Sequence, residues 1–263
     1  MKLAISNIAW SSEDDEQMHF FLKSAGFEGL EIAPTRIIPE NPYDKLKEAE
    51  AFKNTLKTDF SLTIPSLQAI CFGRNEAIFG KEEERESIKE YIKKAIDFAS
   101  VLDCKNLVFG SPKNRIIGEN QEDIAMSFFA ELGTYANKKN TILAMEPNPD
   151  IYGTNFLNTT QQAVDFVKEI KNKGLKINVD LGTIIHNNED IAIIANNIEL
   201  INHIHISEPF LEPITERDIH NDLYQILKEN NYSNYLSIEM KNTNDTAIVK
   251  NAIYYLKDVF KRK

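Results

Sequence analysis

The sequence predicts a (β/α)8 (TIM) barrel, one domain over residues 1–263. Three observations carry that prediction. Eight short apolar runs alternate with longer stretches of helical periodicity. The chain has 263 residues, close to the roughly 250 typical of this architecture. A doubly wound open sheet usually shows a glycine-rich phosphate turn after its first strand. Here the first run leads into "SNIAWSSEDD", with no GxGxxG.

Taken in order, "KLAIS" (2–6) opens the barrel. "SSEDDEQMHFFLKSAG" follows as a helix, starting on serine and acids and closing on Gly26. "GLEIA" (29–33) precedes a helix near 43–58, and "TIPSLQAI" (63–70) is the third strand. "KEEERESIKEYIKKAIDFASVL" sets Ile88, Tyr91, Ile92, Ala95, Ile96 and Ala99 on one stripe, with its charges opposite. "NLVFG" (106–110) leads to a helix near 119–139, and "TILAME" (141–146) to one running from Thr159 or Thr160 to Gly174. "LKINVD" (175–180) is followed by a helix near 189–199. "INHIHIS" (201–207) and "YLSIEM" (235–240) precede the helices in "TERDIHNDLYQILKENN" and "DTAIVKNAIYYLKDVF".

Composition narrows the function. The net charge of -10 repels polyphosphate backbones, so no nucleic-acid partner is expected. Cys71 and Cys104 form no CxxC or zinc spacing and read as small buried hydrophobes in a reducing cytoplasm. No run reaches the roughly 18 apolar residues of a membrane span, so a cytoplasmic protein with no membrane partner is expected.

The chemistry sits at strand ends. In a barrel one strand face meets the helices, and the inner face carries the reactive groups at its C-terminal end. Leu143 and Met145 oppose Ala144 and Glu146; Ile177 and Val179 oppose Asn178 and Asp180. Ile204 and Ile206 oppose His203 and His205; Leu236, Ile238 and Met240 oppose Ser237 and Glu239. Four successive strands thus end their inner face on an ionisable residue. Three converging carboxylates repel one another and cost several kcal/mol when buried unpaired, more than one histidine neutralises. Carboxylate and imidazole donors together suit one divalent metal ion: Mn2+, Mg2+, Co2+ or Zn2+. Glu146, Asp180, His205 and Glu239 are therefore expected to bind metal.

At "AMEPN", "INVDLGT", "HIHISEP" and "LSIEM" the chain resembles the xylose-isomerase-like barrel superfamily, over essentially its whole length, with the site pattern of its ketose 3-epimerase branch. The resemblance implies that Glu146, Asp180, His205 and Glu239 hold the metal, and that Glu146 and Glu239 are catalytic, moving a proton. A sugar is then isomerised or epimerised by proton abstraction beside its carbonyl, through a cis-enediolate. The implied partner is a sugar or sugar phosphate, with a homo-oligomer left open. Many relatives carry histidine three residues after the aspartate; here that position is Thr183.

Further substrate contacts are expected from Glu31 and Gln68 at the ends of strands two and three, and from Asn148, His203 and Glu208. His203 equally reads as a group orienting a ligand. Lys113 and Arg115 in "GSPKNR" either hold a substrate phosphate or carboxylate, or are plain surface charges. Trp10 either stacks on a sugar or covers the barrel mouth. Three rival functions stand beside the isomerase: an inosose-dehydratase-like lyase on the same metal site, an apurinic-site endonuclease, and a non-catalytic barrel. The endonuclease branch uses several zinc ions and more histidines than the five present here.

Overall fold

The computed structural model describes residues 1–261. Seven parallel strands form one curled sheet: β1 (Lys2–Ser6), β2 (Gly29–Glu31), β3 (Leu107–Phe109), β4 (Leu143–Met145), β5 (Leu175–Asp180), β6 (Ile201–Ser207) and β7 (Tyr235–Glu239). Their order is β2-β1-β7-β6-β5-β4-β3, which leaves β2 and β3 as the two edges.

The predicted third strand, 63–70, lies between those edges, but as single bridges rather than a ladder. Thr63 bridges Gly29, and Leu67 bridges both Ile32 and Leu107, all in parallel. The Leu67 amide donates to the Asn106 carbonyl at 2.9 Å, and the Val108 amide donates to Leu67 at 2.8 Å. Pro65 offers no amide hydrogen, which keeps this segment from a continuous ladder. The barrel is therefore closed, and its eighth place is a seam.

Ten α-helices surround the strands among the described residues: α1 (Asp15–Ala25), α2 (Pro34–Ile37), α3 (Leu46–Phe60), α4 (Glu82–Val101), α5 (Glu122–Lys138), α6 (Thr160–Ile170), α7 (Leu181–Asn187), α8 (Ala192–Asn196), α9 (Asp218–Glu229) and α10 (Thr246–Phe260). Two boundary signals act as expected, while α6 ends at Ile170, short of Gly174. Gly26 ends α1 at φ 81°, and Thr159 caps α6 by accepting the Gln162 amide. The helix expected near 189–199 is cut to the five residues of α8. The stripe of α4 buries Ile88, Ile92, Ala95, Ile96 and Ala99 against the sheet, with Tyr91 only partly covered. Leu3, Ile5, Ile177, Val179, Ile204, Ile206 and Leu236 face the helices and are buried. Cys71 and Cys104 are buried and free. No helix among the described residues is long and apolar enough to cross a membrane.

One histidine is buried far from the strand ends. His220 on α9 is fully covered, with Nδ1 2.9 Å from the Tyr255 hydroxyl and no partner for Nε2. Burial pushes its pKa down to about 4, against a smaller opposing pull from Glu208. The unfolded chain binds this proton below its ordinary value, whereas the folded chain binds it only near 4. The folded state therefore loses stability as pH falls from about 6.5 to about 4, by up to about 3 kcal/mol. His220→Gln is expected to flatten that part of the curve of thermal midpoint against pH. An unchanged slope would show that His220 does not control it.

Candidate active site

Each of the four strands that predicted a polar inner end delivers it to the same place. Glu146 follows β4 directly, Asp180 and Glu239 end β5 and β7, and His205 lies in β6, paired in register with Asp180. One donor atom from each lies within 4.8 Å of the others.

Local chemistry fixes the carboxylates. Asp180 is both the strand end and the N-cap of α7: its Oδ1 accepts the Thr183 amide at 2.6 Å, and its Oδ2 accepts the Ser207 hydroxyl at 2.6 Å. Glu146 Oε1 accepts a hydrogen from Asn178 Nδ2 at 2.7 Å. Gly110 gives this carboxylate its space, because a Cβ there would stand 2.6 Å from Oε2. Arg115 lies beneath, donating from Nη1 to the Glu146 carbonyl at 2.9 Å.

His205 joins two layers of acid. Its Nε2 lies 3.0 Å from Glu31 Oε1, while His203 Nε2 lies 3.1 Å from Glu31 Oε2. The Nε2 side of the ring is therefore turned down to Glu31, and Nδ1 faces the mouth. There it meets Glu146 Oε1 at 2.9 Å and Glu239 Oε2 at 3.1 Å, with no well-formed hydrogen bond to either. Burial alone would lower the pKa of His205, but Glu239 and Glu31 hold it well above its usual value. Burial raises Asp180, and Glu146 adds to it; burial also raises Glu239, partly offset by His205. Burial would raise Glu31 too, but His205 and His203 hold it far below the usual range. So many lone pairs facing one point need a proton or a cation between them. The mix of carboxylate oxygens with one imidazole nitrogen fits a divalent ion.

Above this cluster is a cavity of about 230 Å³, lined by Glu146, Asp180 and Glu239 together with Gln68, Asn148 and Tyr152. Gln68 is tied to the Ser6 hydroxyl, and Asn148 leaves its Oδ1 unpartnered. The remaining wall is mostly apolar, with Ile8, Val108, Pro112 and Leu211. No lysine, arginine or histidine among the described residues lines it.

Several expected substrate contacts lie elsewhere. Glu31 and His203 are buried below His205 and do not reach the cavity. The Glu208 carboxylate is held by Arg217, at 2.7 Å from Nε and 2.6 Å from Nη2, and by Thr215, outside the lining. Arg115 is buried and bound to backbone, so it is neither a surface charge nor an anion clamp at the mouth. Lys113 is exposed and lines a different cavity. Trp10 is buried, donating to Asp15 at 2.9 Å. Thr183, in place of the relatives' histidine, donates its hydroxyl to the Pro147 carbonyl at 3.0 Å.

Sequence reasoning passed over Asn178, Ser207, Tyr152 and Leu211. The first shares the inner strand face with Asp180, which was a usable signal. The last two come from loops, where no periodicity marks them. The Tyr152 oxygen accepts the Phe210 amide at 2.8 Å, linking the loops after β4 and β6.

Residues 21–259 match the family described as xylose isomerase-like TIM barrel. Among curated protein sequences, none matches this chain. Solved structures of the same fold include 3-keto-D-glucoside 4-epimerase YcjR from E. coli, at TM-score 0.76 and 19% identity, with 98% of this chain and 99% of that one covered. D-psicose 3-epimerase, solved in the presence of D-fructose, aligns at TM-score 0.79 and 16% identity over 100% of both chains. The probable 3-DHS dehydratase AsbF from Bacillus anthracis aligns at 0.70 and 17%, again over 100% of both.

Adding Mn2+ to chelator-treated protein is expected to raise the thermal midpoint, because the ion binds only the folded cluster. Asp180→Asn is expected to shrink that rise. A midpoint indifferent to Mn2+, Mg2+, Co2+ and Zn2+ would count against a cation at this point.

Proposed function

The chain belongs to the xylose isomerase-like TIM barrel family, and on that premise we propose that it is a divalent-metal-dependent sugar isomerase or epimerase, with residues 1–263 working as one barrel domain. The observation that carries this reading is the convergence of Glu146, Asp180, His205 and Glu239 under a cavity of monosaccharide size. Neighbours described as sugar epimerases support it.

Those four residues would hold the metal. Bound there, Mn2+, Mg2+, Co2+ or Zn2+ would supply the Lewis acidity that polarises the sugar carbonyl and its neighbouring hydroxyl. The proton transfers belong to the protein. Glu146 and Glu239 come from strands on either side of β5 and β6, so the sugar is flanked by two carboxylates. Both carboxylates line the cavity, which suits groups that take and return a carbon-bound proton. Proton loss to one carboxylate leaves a cis-enediolate. Return from the opposite carboxylate inverts the carbon, and return from the same one to the adjacent carbon isomerises the sugar. Gln68, Asn148 and Tyr152 would orient hydroxyls. Glu31 and His203 would act from below, holding His205 with Nδ1 upward.

A lyase working on the same enediolate is the second reading, favoured by Tyr152. Its oxygen is already engaged by the Phe210 amide, so its own hydrogen is free for a leaving hydroxyl.

A panel of ketoses and ketose phosphates in D2O, with Mn2+ or Mg2+, is expected to show deuterium entering beside the carbonyl by proton NMR. New C–H stereochemistry identifies an epimerase, and an unsaturated product a lyase. Glu239→Gln is expected to lower exchange by about 10²- to 10⁴-fold while metal binding weakens only in part. Full exchange in that variant would refute its role. Glu31→Gln is expected to weaken Mn2+ binding by about 10- to 100-fold, read by calorimetry. Unaltered binding would remove Glu31 from the metal's support.

A further inference from the structure

A second cavity of about 490 Å³ adjoins the first, and the two share Ala69, Ser111 and Pro112 as walls. Their charges are opposite. Among the described residues the first is lined by three carboxylates and no cation, and the second by Arg74 and Lys113 and no acid, in a protein whose net charge is -10.

The two cations are in different states. Arg74 is fixed: its Nη2 binds Glu76 and lies 3.2 Å from the Ser87 hydroxyl, and the guanidinium stands 4.7 Å from the centre of the Tyr91 ring. Lys113 is exposed and has no hydrogen-bond or ion-pair partner among the described residues. The Phe72 ring lies on the same hollow, 69% exposed. The first cavity, at about 230 Å³, has room for a single sugar, and a group extended from such a sugar past Ala69, Ser111 and Pro112 would enter the second.

We propose that the second cavity is a subsite for an anionic group, phosphate or carboxylate, carried by the substrate at the end remote from its carbonyl. This rests on the reading of the first cavity as the place where the sugar reacts. The carbonyl end would face the acid cluster and the anion would face Lys113, so charge alone would set which way round the sugar binds. Arg115 takes no part, being buried against the Glu146 carbonyl. The recognising loops are those carrying Ala69–Asn75 and Ser111–Asn114.

The test compares dissociation constants of Mn2+-loaded protein for D-fructose, D-fructose 6-phosphate and D-fructuronate, by calorimetry at fixed ionic strength. At least one anionic sugar is expected to bind about tenfold more tightly than fructose. Whichever of the two it is separates phosphate from carboxylate. Lys113→Gln, at an exposed position, is expected to remove most of that preference, and Lys113→Glu to reverse it. Equal binding of all three sugars by the native protein, or a preference that survives Lys113→Glu, would overturn the subsite. Proton exchange in D2O is read on the same samples. Its absence with every probe counts against sugar isomerisation, whereas the binding ratios judge the subsite independently.

Discussion

His205 is held between two acids that compete for it, and the rest of the site depends on how that competition is resolved. Glu31 below engages one ring nitrogen, which turns the other toward Glu146 and Glu239. A neutral asparagine or glutamine at 31 would not bias the ring so strongly, and a free imidazole would turn to satisfy itself. The lower acid thus sets the ring so that its other nitrogen joins the upper carboxylates, an arrangement that suits a proton or a cation between them. Around it, most supporting bonds hold a carboxylate from the side or from behind, and Asn148 reaches Glu146 Oε2 from the cavity wall at 3.4 Å. Asn178 holds Glu146, and Ser207 and the Thr183 amide hold Asp180, so the faces turned to the cavity stay open.

Most of this was legible in the sequence, for a physical reason. A buried strand with one oily face has only two orientations, so alternation in "KINVD", "HIHIS" and "YLSIEM" sets the phase of each strand and the depth of its last polar residue. Depth separated His205 from His203, and the structure keeps them apart in the same sense. What periodicity could not supply was which polar residue satisfies which. Glu31 reads as a strand-end acid at the mouth, yet the inner wall beside it is occupied by two imidazoles, of which His205 hydrogen-bonds its Oε2 and His203 stands 3.1 Å from the same oxygen. Glu208 follows a strand end in sequence, but Arg217, nine residues on, folds back and takes it. Arg115 looks like a loop cation until the backbone carries it under β4. In each case the partner is distant in sequence or arrives by a loop, where side-chain direction obeys no period. The third strand failed differently, through a proline that an apolar pattern tolerates and a hydrogen-bond ladder does not.

The cavity itself is more conservative in chemistry than in shape. Its acids come from strands, whereas Tyr152, Leu211 and Pro112 come from loops that continue beyond them. Bare carboxylates give this surface reactivity without much discrimination. Discrimination falls to the neutral and apolar groups of the cavity wall.

The seam at residues 63–68 divides the barrel into two kinds of wall. Glu146, Asp180, His205 and Glu239 hang on or directly after β4 to β7, a continuous run of parallel ladders. Ala69 and the loop beyond it hang on single bridges. Substitutions near the seam can reshape the far end of the cavity while leaving the ladders that aim the acids untouched. The fold therefore separates inheritance of chemistry from drift in preference. One loosely stitched edge can be rewritten while the four residues at the ladder ends keep their places.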